Sequence, residues 1–204
     1  KYSAGSDTDY TSMPETFDTT GGTSHETALT GLSGGQAYDY YVRCEDDAGN
    51  ATSSSYLVSF NVEAPTPTVT LEPDPASVDE GGQVMLSLQI SDVSDLGSLA
   101  AEITYDSSVL SLDPVGVTLG TDAAAAGWMG PPMVDEPTPG TFSVMADSGF
   151  AGTALAGDVE VVDLVFDAST PGTSDLVFTV DPMKTKLSKK SNPMENITAN
   201  WDDG

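Results

Sequence analysis

The feature that most constrains the fold of this chain is a period-two alternation of apolar and polar residues. Val84, Leu86 and Leu88 lie in one such run, and Leu99 and Ile103 lie in another. Successive side chains of a β-strand point to opposite faces, so each run predicts a strand with one buried face. Shorter runs of the same kind recur between Gly, Pro, Asn and Asp residues, and helix-forming residues are sparse. The chain is therefore predicted to be all-β, with many short strands joined by turns.

A proline-containing segment divides the chain into two blocks of strand pattern. Residues 63–67 read Glu-Ala-Pro-Thr-Pro, and two prolines in a short polar run favour an extended, semi-rigid linker. The predicted organisation is a first domain over residues 1–62, a linker over 63–67 and a second domain over 68–204. The spacing of the short strands predicts a β-sandwich in each domain.

The first domain contains a predicted hairpin. Apolar residues alternate over residues 38–44 and again over 56–62. The Asp-Ala-Gly-Asn sequence at 47–50 forms the turn between them, because Gly and Asn tolerate positive φ. A shorter strand is predicted over residues 27–29, just before a turn at Gly31.

The same region resembles a known family. Leu32, Tyr38 six residues later, a Tyr-x-Val-x-Cys sequence and an Asp-x-x-Gly-Asn turn resemble the E–F corner, F strand and F–G turn of a fibronectin type III domain. The resemblance implies that Leu32 and Tyr38 build a tyrosine corner, in which the hydroxyl bonds back to the backbone. It also implies that residues 1–3 form the C strand and that the A and B strands are missing. The first domain is then an incomplete immunoglobulin-like sandwich.

Cys44 is the one cysteine of the sequence, so it cannot form a disulfide within the chain. The resemblance implies that it lies on the F strand, faces the region of the missing strands and pairs with a cysteine before Lys1. The alternative role is that of a small buried hydrophobic residue on a strand. A catalytic thiol is not expected, because the lone histidine, His25, lies in a Gly- and Thr-rich loop without an acid–base partner.

The second domain is similar to a cohesin-type domain. The motifs that carry this similarity follow one another as Gly81-Gly82-x-Val84, Ile90-Ser-Asp-Val93, Tyr105-Asp106-Ser-Ser-Val109-Leu110, Leu164-Val-Phe166 and Trp201-Asp-Asp-Gly204. The resemblance implies a jelly-roll sandwich, a fold that cohesins share with some carbohydrate-binding modules, and a dockerin-like protein partner. In the family a final strand follows the Asp-Gly turn where this chain stops, so both ends of the chain are expected to be cut.

Residues 123–133 stand out because Trp128 and Met129 lie beside Gly and Pro. This segment predicts an exposed platform for sugar stacking or protein docking, since aromatic residues anchor interfaces. The alternative is an irregular edge strand whose tryptophan fills the core. The cohesin resemblance implies a partner-binding face on this strand and its neighbours, whose outward residues are expected to be Ala100, Glu102, Ser143, Met145, Asp163 and Val165.

The charge of the chain argues against some partners. The sequence has 32 acids and 6 bases, and a field this negative repels nucleic acids and anionic membranes. No apolar run approaches the roughly 18 residues of a membrane span. Four of the six bases form one cluster, Lys184, Lys186, Lys189 and Lys190, which is either a solvated loop or a contact for the acidic face of a neighbouring subunit.

The sequence does not favour catalysis or metal chemistry. No acidic residue lies in a recognisable catalytic motif, so the chain is predicted not to be an enzyme. Residues 45–47 read Glu-Asp-Asp and lack the alternating ligand spacing of a calcium loop. No cofactor is predicted, although Ca²⁺ at the closing Trp-Asp-Asp-Gly sequence stays open. Asn50-Ala-Thr52 and Asn196-Ile-Thr198 match the acceptor pattern for N-glycosylation.

Three hypotheses for function follow. The first is a secreted or cell-surface scaffolding or adhesion segment that binds a dockerin-like protein through its cohesin-like domain, with the fibronectin-like domain as a spacer. The second is a structural subunit of an extracellular filament or surface layer, in which a neighbour donates the missing strands. The third is a carbohydrate-binding module, which requires an exposed Trp128.

Overall fold

The computed structural model describes residues 1–74 and 76–202. The chain divides into two compact units, unit 1 (Lys1–Pro65) and unit 2 (Thr66–Gly204). Nearly all of the regular structure is β, which confirms the predicted fold class. No helix in the described ranges has both the length and the apolar character needed to cross a membrane.

Unit 1 contains a three-stranded antiparallel sheet in the order β1-β2-β3. Its strands are β1 (Tyr2–Ala4), β2 (Ala37–Val42) and β3 (Tyr56–Asn61), and a 3-10 turn covers Tyr10–Ser12. The predicted hairpin is present as β2 and β3, with Tyr38 opposite Phe60. The predicted strand over 27–29 is absent. A strand must satisfy its backbone groups through a neighbour, and no segment of unit 1 pairs with these residues.

Aromatic rings cover one face of the unit 1 sheet. Tyr38, Tyr40 and Phe60 lie with their ring centroids 5.7 to 6.5 Å apart, and Tyr2 contacts Tyr40 at 6.0 Å. All four side chains are only half-buried. Within residues 1–65, all of which are described, Met13 is the one hydrophobic residue that is buried. Unit 1 therefore has an apolar face but little enclosed core.

The structure corrects the placement of Cys44. Strand β2 ends at Val42, and Cys44 lies beyond it with an exposed side chain. The strand ladder stops here because Thr52 engages the Cys44 backbone. The Thr52 N–H donates to the Cys44 carbonyl at 2.9 Å, and the Cys44 N–H donates to the Thr52 hydroxyl at 3.3 Å. The expectation that Cys44 sits on a strand was wrong.

Unit 2 is a sandwich of two layers that share the long strand β5 (Gln83–Thr104). The first layer uses the first half of β5 and adds β4 (Thr68–Glu72), β6 (Leu110–Leu112), β7 (Thr118–Leu119), β10 (Leu155–Ala168) and β14 (Asn200–Trp201). The second layer uses the second half of β5 and adds β8 (Met129–Thr138), β9 (Thr141–Asp147), β11 (Val177–Phe178), β12 (Lys186–Lys189) and β13 (Asn196–Ile197). A short helix, α1 (Thr121–Ala125), lies between β7 and β8.

Strand β5 passes from one layer to the other at two aspartates. Asp92 and Asp95 have φ values of 54° and 57°, a left-handed conformation that Asp adopts more readily than most residues. The alternation pattern breaks at the same place, so the sequence predicts two strands where the structure has one bent strand. The first and last strands of unit 2 lie side by side, because β14 pairs with β4 in parallel.

The core of unit 2 lies between its layers. Phe142 of the second layer and Phe166 of the first have ring centroids 5.9 Å apart, and Tyr105 contacts both rings. Of the residues predicted to face inward, Val84 is half-buried against the core, and the others are buried, namely Leu86, Leu88, Ile90, Leu99, Ala101 and Ile103. The in-and-out pattern of both halves of β5 is confirmed.

Candidate functional site

The outward face of the second layer carries a straight row of side chains across four strands. The strand registers place Lys186 opposite Ala100, Ala100 opposite Met145 and Met145 opposite Met133. Residues directly opposite in an antiparallel sheet lie on the same face, so these four side chains form one row. We call the surface around this row the methionine face, made of Ala100, Glu102, Met129, Met133, Asp135, Ser143, Met145 and Lys186.

Three methionines of this face are exposed to solvent. Met129, Met133 and Met145 are 65%, 71% and 45% accessible. A flexible, polarisable thioether adapts to the shape of a partner, and methionine is enriched in protein interfaces. Exposed apolar side chains in register on a flat sheet are a surface suited to contact with another protein.

Charges flank the apolar row on both sides. Asp135 is exposed on β8, opposite Ser143 and two residues from Met133, and Lys186 is exposed at the β12 end of the row. Within the face, Lys184 forms an ion pair with Glu102 at 2.9 Å. The hydrogen bond from the Lys184 ammonium to Glu102 raises the pKa of that lysine. The methionine face therefore carries an exposed base on β12 and an exposed acid on β8.

Most of the predicted lysine cluster is engaged within unit 2. Besides the Lys184 pair, Lys189 pairs with Glu195, and the Lys190 ammonium donates to the Gly149 carbonyl. Lys186 and Lys189 lie on a strand, which replaces the predicted loop. These contacts leave Lys186 as the lysine best placed to meet a partner.

The structure brings together five of the predicted partner-binding residues and separates two. Ala100, Glu102, Ser143, Met145 and Met129 share the methionine face. The other two, Asp163 and Val165, lie on β10 in the first layer, opposite Ser87 and Met85. The expectation that they share one face with the other five was wrong, because alternation distinguishes inward from outward residues but does not say which layer a strand joins.

Trp128 is the second correction. Its side chain is only 5% exposed and belongs to the core of unit 2, where the indole N–H donates to the Thr153 carbonyl at 2.9 Å. The alternative in which the tryptophan fills the core is the one observed. An exposed Trp128 platform for sugar stacking or docking is therefore absent, although Met129 beside it is exposed.

Two exposed residues near the face were missed by the sequence analysis. Met133 closes the row on β8, and Phe150 is fully exposed in the turn after β9. Phe150 lines a cleft of about 350 Å³ together with Gly97, Asp147 and Lys190. Phe150 gives no periodic signal, because it is a lone aromatic residue in a Gly-containing turn. Met133 lies at the end of the segment 123–133, but only Trp128 and Met129 of that segment were predicted to be partner-binding.

The described residues contain no group of three or more His, Cys, Asp or Glu side chains arranged to hold a metal ion. His25 contacts Phe17, with 6.1 Å between ring centroids. Asp203 and Gly204, the end of the sequence suggested for Ca²⁺, lie outside the described residues.

Comparison with known proteins gives structural relatives only. No family model matches the sequence, and no curated protein matches it. Solved structures that this chain resembles include cohesin modules. The cohesin CaCohA2 from Clostridium acetobutylicum is 22% identical, with 69% of this chain and 88% of that chain covered and a TM-score of 0.51. The seventh ScaB type I cohesin from Pseudobacteroides cellulosolvens is 18% identical, with 67% and 88% covered and a TM-score of 0.52.

A third relative was solved as a complex. A type I cohesin–dockerin complex from Clostridium thermocellum, Coh-OlpA-Doc918, matches with 15% identity, 67% and 94% coverage and a TM-score of 0.51. The share of this chain that is covered is close to the share that unit 2 occupies. At these identities the likeness concerns the fold, and unit 2 therefore has a cohesin-type β-sandwich fold.

Proposed function

We propose that unit 2 is a non-catalytic module that binds a protein partner through the methionine face, within a scaffolding or adhesion segment of a secreted or cell-surface modular protein. The observation that carries the proposal is the exposed row of Met145 and Met133 beside Ala100. Burial of such side chains in an interface removes apolar area from water, which is favourable in proportion to that area.

The opposite face of the sandwich supports this choice by contrast. On the first layer, the Ser87 hydroxyl donates to Asp163 at 2.7 Å, and the Gln83 amide donates to Asp167 at 2.9 Å. These polar groups already bond to each other, and Met85 is the exposed methionine among them. This face offers a partner fewer apolar contacts than the methionine face.

The partner that we propose is a dockerin-like protein. The support is the cohesin-type fold of unit 2 and the solved relative in which a cohesin module is bound to a dockerin. The two exposed charges of the methionine face, Lys186 on β12 and Asp135 on β8, would fix the orientation of the partner, because complementary charges set register more than affinity.

For unit 1 we propose a spacer role of the fibronectin type III kind. The strand order β1-β2-β3 is the order expected for C, F and G strands. The Tyr38 hydroxyl accepts a hydrogen bond from the backbone N–H of Ser33 at 2.7 Å, as a tyrosine corner requires. Leu32 beside it is half-buried.

One observation favours a second candidate function, a subunit of an extracellular filament or surface layer. Tyr56, Leu57 and Val58 on the edge strand β3 are 73%, 48% and 38% exposed. An exposed apolar edge strand can pair with a strand from another chain. Electron microscopy of the native material tests this candidate, and particles that are monomers at every concentration would count against it.

Titration of the full chain against a panel of dockerins, Doc918 included, tests the main proposal. Met133→Glu combined with Met145→Glu is expected to weaken binding at least about thirtyfold, the effect of one hot-spot residue of about 2 kcal/mol. The matched control is Met85→Glu on the first layer, which should leave affinity unchanged. All three sites are exposed, so thermal stability should change little. Failure of every dockerin in the panel to bind, or an equal loss of affinity in the control, would contradict the proposal.

A further inference from the structure

We infer that Asn196 is an acceptor for an N-linked saccharide, attached to its side-chain amide. Asn196 begins the acceptor sequence Asn-Ile-Thr and lies exposed on β13, the outermost strand of the second layer. The inference rests on the secreted or cell-surface setting proposed above, and it adds a modification site that partner binding does not require.

Both polar groups of the acceptor sequence are exposed at the end of β13. Asn196 and Thr198 are both exposed, whereas Ile197 between them is half-buried and packs against the core. Side chains two residues apart in extended backbone point to the same side. The Asn196 and Thr198 side chains are both accessible from solvent at the outermost strand of the second layer.

In the second acceptor sequence, the side chains of Asn50 and Thr52 already form hydrogen bonds within their own loop. The Asn50 side-chain amide donates to both carboxylate oxygens of Asp46, at 3.1 and 2.9 Å. The Thr52 hydroxyl accepts the Cys44 N–H. By contrast, no hydrogen bond engages the Asn196 side chain within the described ranges. Two sequences that match the same acceptor pattern thus differ in the availability of the reacting nitrogen.

The reaction requires a saccharide linked to a polyprenyl phosphate or pyrophosphate as the donor. The amide nitrogen of Asn196 forms a bond to the C1 carbon of the saccharide. The bond between C1 and the phosphate oxygen breaks, and its electron pair leaves with the phosphate. The proton lost from the amide is taken up by a base of the transferase, so that no oxidant or reductant is needed.

Asn196 lies opposite Ser188 of β12, on the same side of the second layer as the methionine face but at the far end of the layer from Met133. Strand β13 lies four strands from β8, which is roughly 19 Å at about 4.8 Å per strand. A saccharide on β13 would cover the open edge of the layer, where unpaired backbone groups invite association with other sheets. It would leave Met133 accessible to a partner.

The test is glycosylation of the purified, folded chain by an oligosaccharyltransferase that requires only Asn-x-Ser/Thr, with its lipid-linked saccharide, followed by intact-mass measurement. We expect a mass increase of one saccharide per chain. Asn196→Gln and Thr198→Ala should each lose this increase, and Asn50→Gln should keep it. No mass increase, or a saccharide on Asn50 in place of Asn196, would overturn the inference.

Asp46→Ala distinguishes the structural argument from motif recognition alone. Removal of this carboxylate frees the Asn50 amide, so a second saccharide should appear on Asn50 in the variant. If the parent chain carries saccharides equally on both residues, the protection by Asp46 is refuted. Dockerin binding is measured separately, so failure of the modification and failure of the proposed function give different results.

Discussion

The two units are built from the same kind of alternating sequence but enclose very different cores. In unit 2, two layers face each other, and Phe142 and Phe166 are completely buried between them. In unit 1, a single sheet carries Tyr38, Tyr40 and Phe60 on one face, and these rings remain half-buried. The difference shows that alternation specifies a strand and its apolar face, whereas burial depends on a second layer that covers this face.

The test of this contrast with the largest expected effect is a matched pair of side-chain truncations, one in each unit. Phe142→Ala in unit 2 should lower the free energy of unfolding by about 3–5 kcal/mol, because it leaves a cavity in a closed core. Phe60→Ala in unit 1 should cost only about 1 kcal/mol, since its side chain is half-exposed before the change. Urea unfolding by tryptophan fluorescence follows unit 2, which contains both tryptophans, and amide exchange of β2 and β3 follows unit 1.

Equal costs at the two positions would show that the unit 1 face is covered in solution. That result would remove the contrast between the units and favour an assembly in which another chain supplies the second layer.

The buried Tyr105 provides a second test of the closed core of unit 2. The Tyr105 hydroxyl donates to Glu136 at 2.5 Å and accepts the Leu112 N–H at 3.3 Å. Tyr105→Phe should cost about 1.5–3 kcal/mol, the range for a hydrogen bond to a charged group. Denaturant midpoints of parent and variant measure this cost at neutral pH.

The same tyrosine predicts an alkaline loss of stability. Burial, and then the hydrogen bond to Glu136, raise the pKa of Tyr105 above its ordinary value of 10.0. The unfolded chain therefore loses this proton at lower pH than the folded chain does. The stability that protonated Tyr105 adds to the folded chain is complete below pH 10.0 and is lost as pH rises through the raised pKa. In Tyr105→Phe, the free energy of unfolding should depend less on pH in the alkaline range. An unchanged slope in the variant would contradict the assignment of this pH dependence to Tyr105.

The smallest expected effect concerns the hydroxyl of Tyr38 in unit 1. Tyr38→Phe removes the bond from the Ser33 N–H and should cost about 0.5–1.5 kcal/mol. Tyr56→Phe is the control, since Tyr56 is 73% exposed and its change should be close to zero. Local amide exchange around Ser33 measures both variants. An effect at Tyr38 no larger than at Tyr56 would argue against a tyrosine corner.

Much of the fold of unit 2 follows from its sequence. Alternation locates both halves of β5 and identifies their buried residues, because the side-chain period of a strand is a local property. It does not show that the chain continues through Asp92 and Asp95, since left-handed aspartates read as a turn. The alanine run that forms α1 gives no periodic signal either.

The candidate site was less predictable because it depends on contacts between distant residues. Met145 and Ala100 could be assigned an outward direction, but their alignment with Met133 and Lys186 requires the strand order. Trp128 looks like an interface residue in sequence, and its burial depends on a carbonyl 25 residues away, at Thr153. Cys44 was misplaced for the same reason. The alternating pattern extends β2 to this residue, but the contacts of Thr52 with the Cys44 backbone follow a strand that has already ended at Val42.

The parallel pairing of β14 with β4 has a mechanical consequence. The chain enters unit 2 at one end of this pair and leaves it at the other, so tension along the chain slides the two strands past each other. The bonds from Asn200 to Pro67, at 2.8 Å, and from Asp202 to Val69, at 3.0 Å, are then loaded in shear and must break together. Extension of unit 2 would therefore be resisted at this pair of strands before the core is exposed.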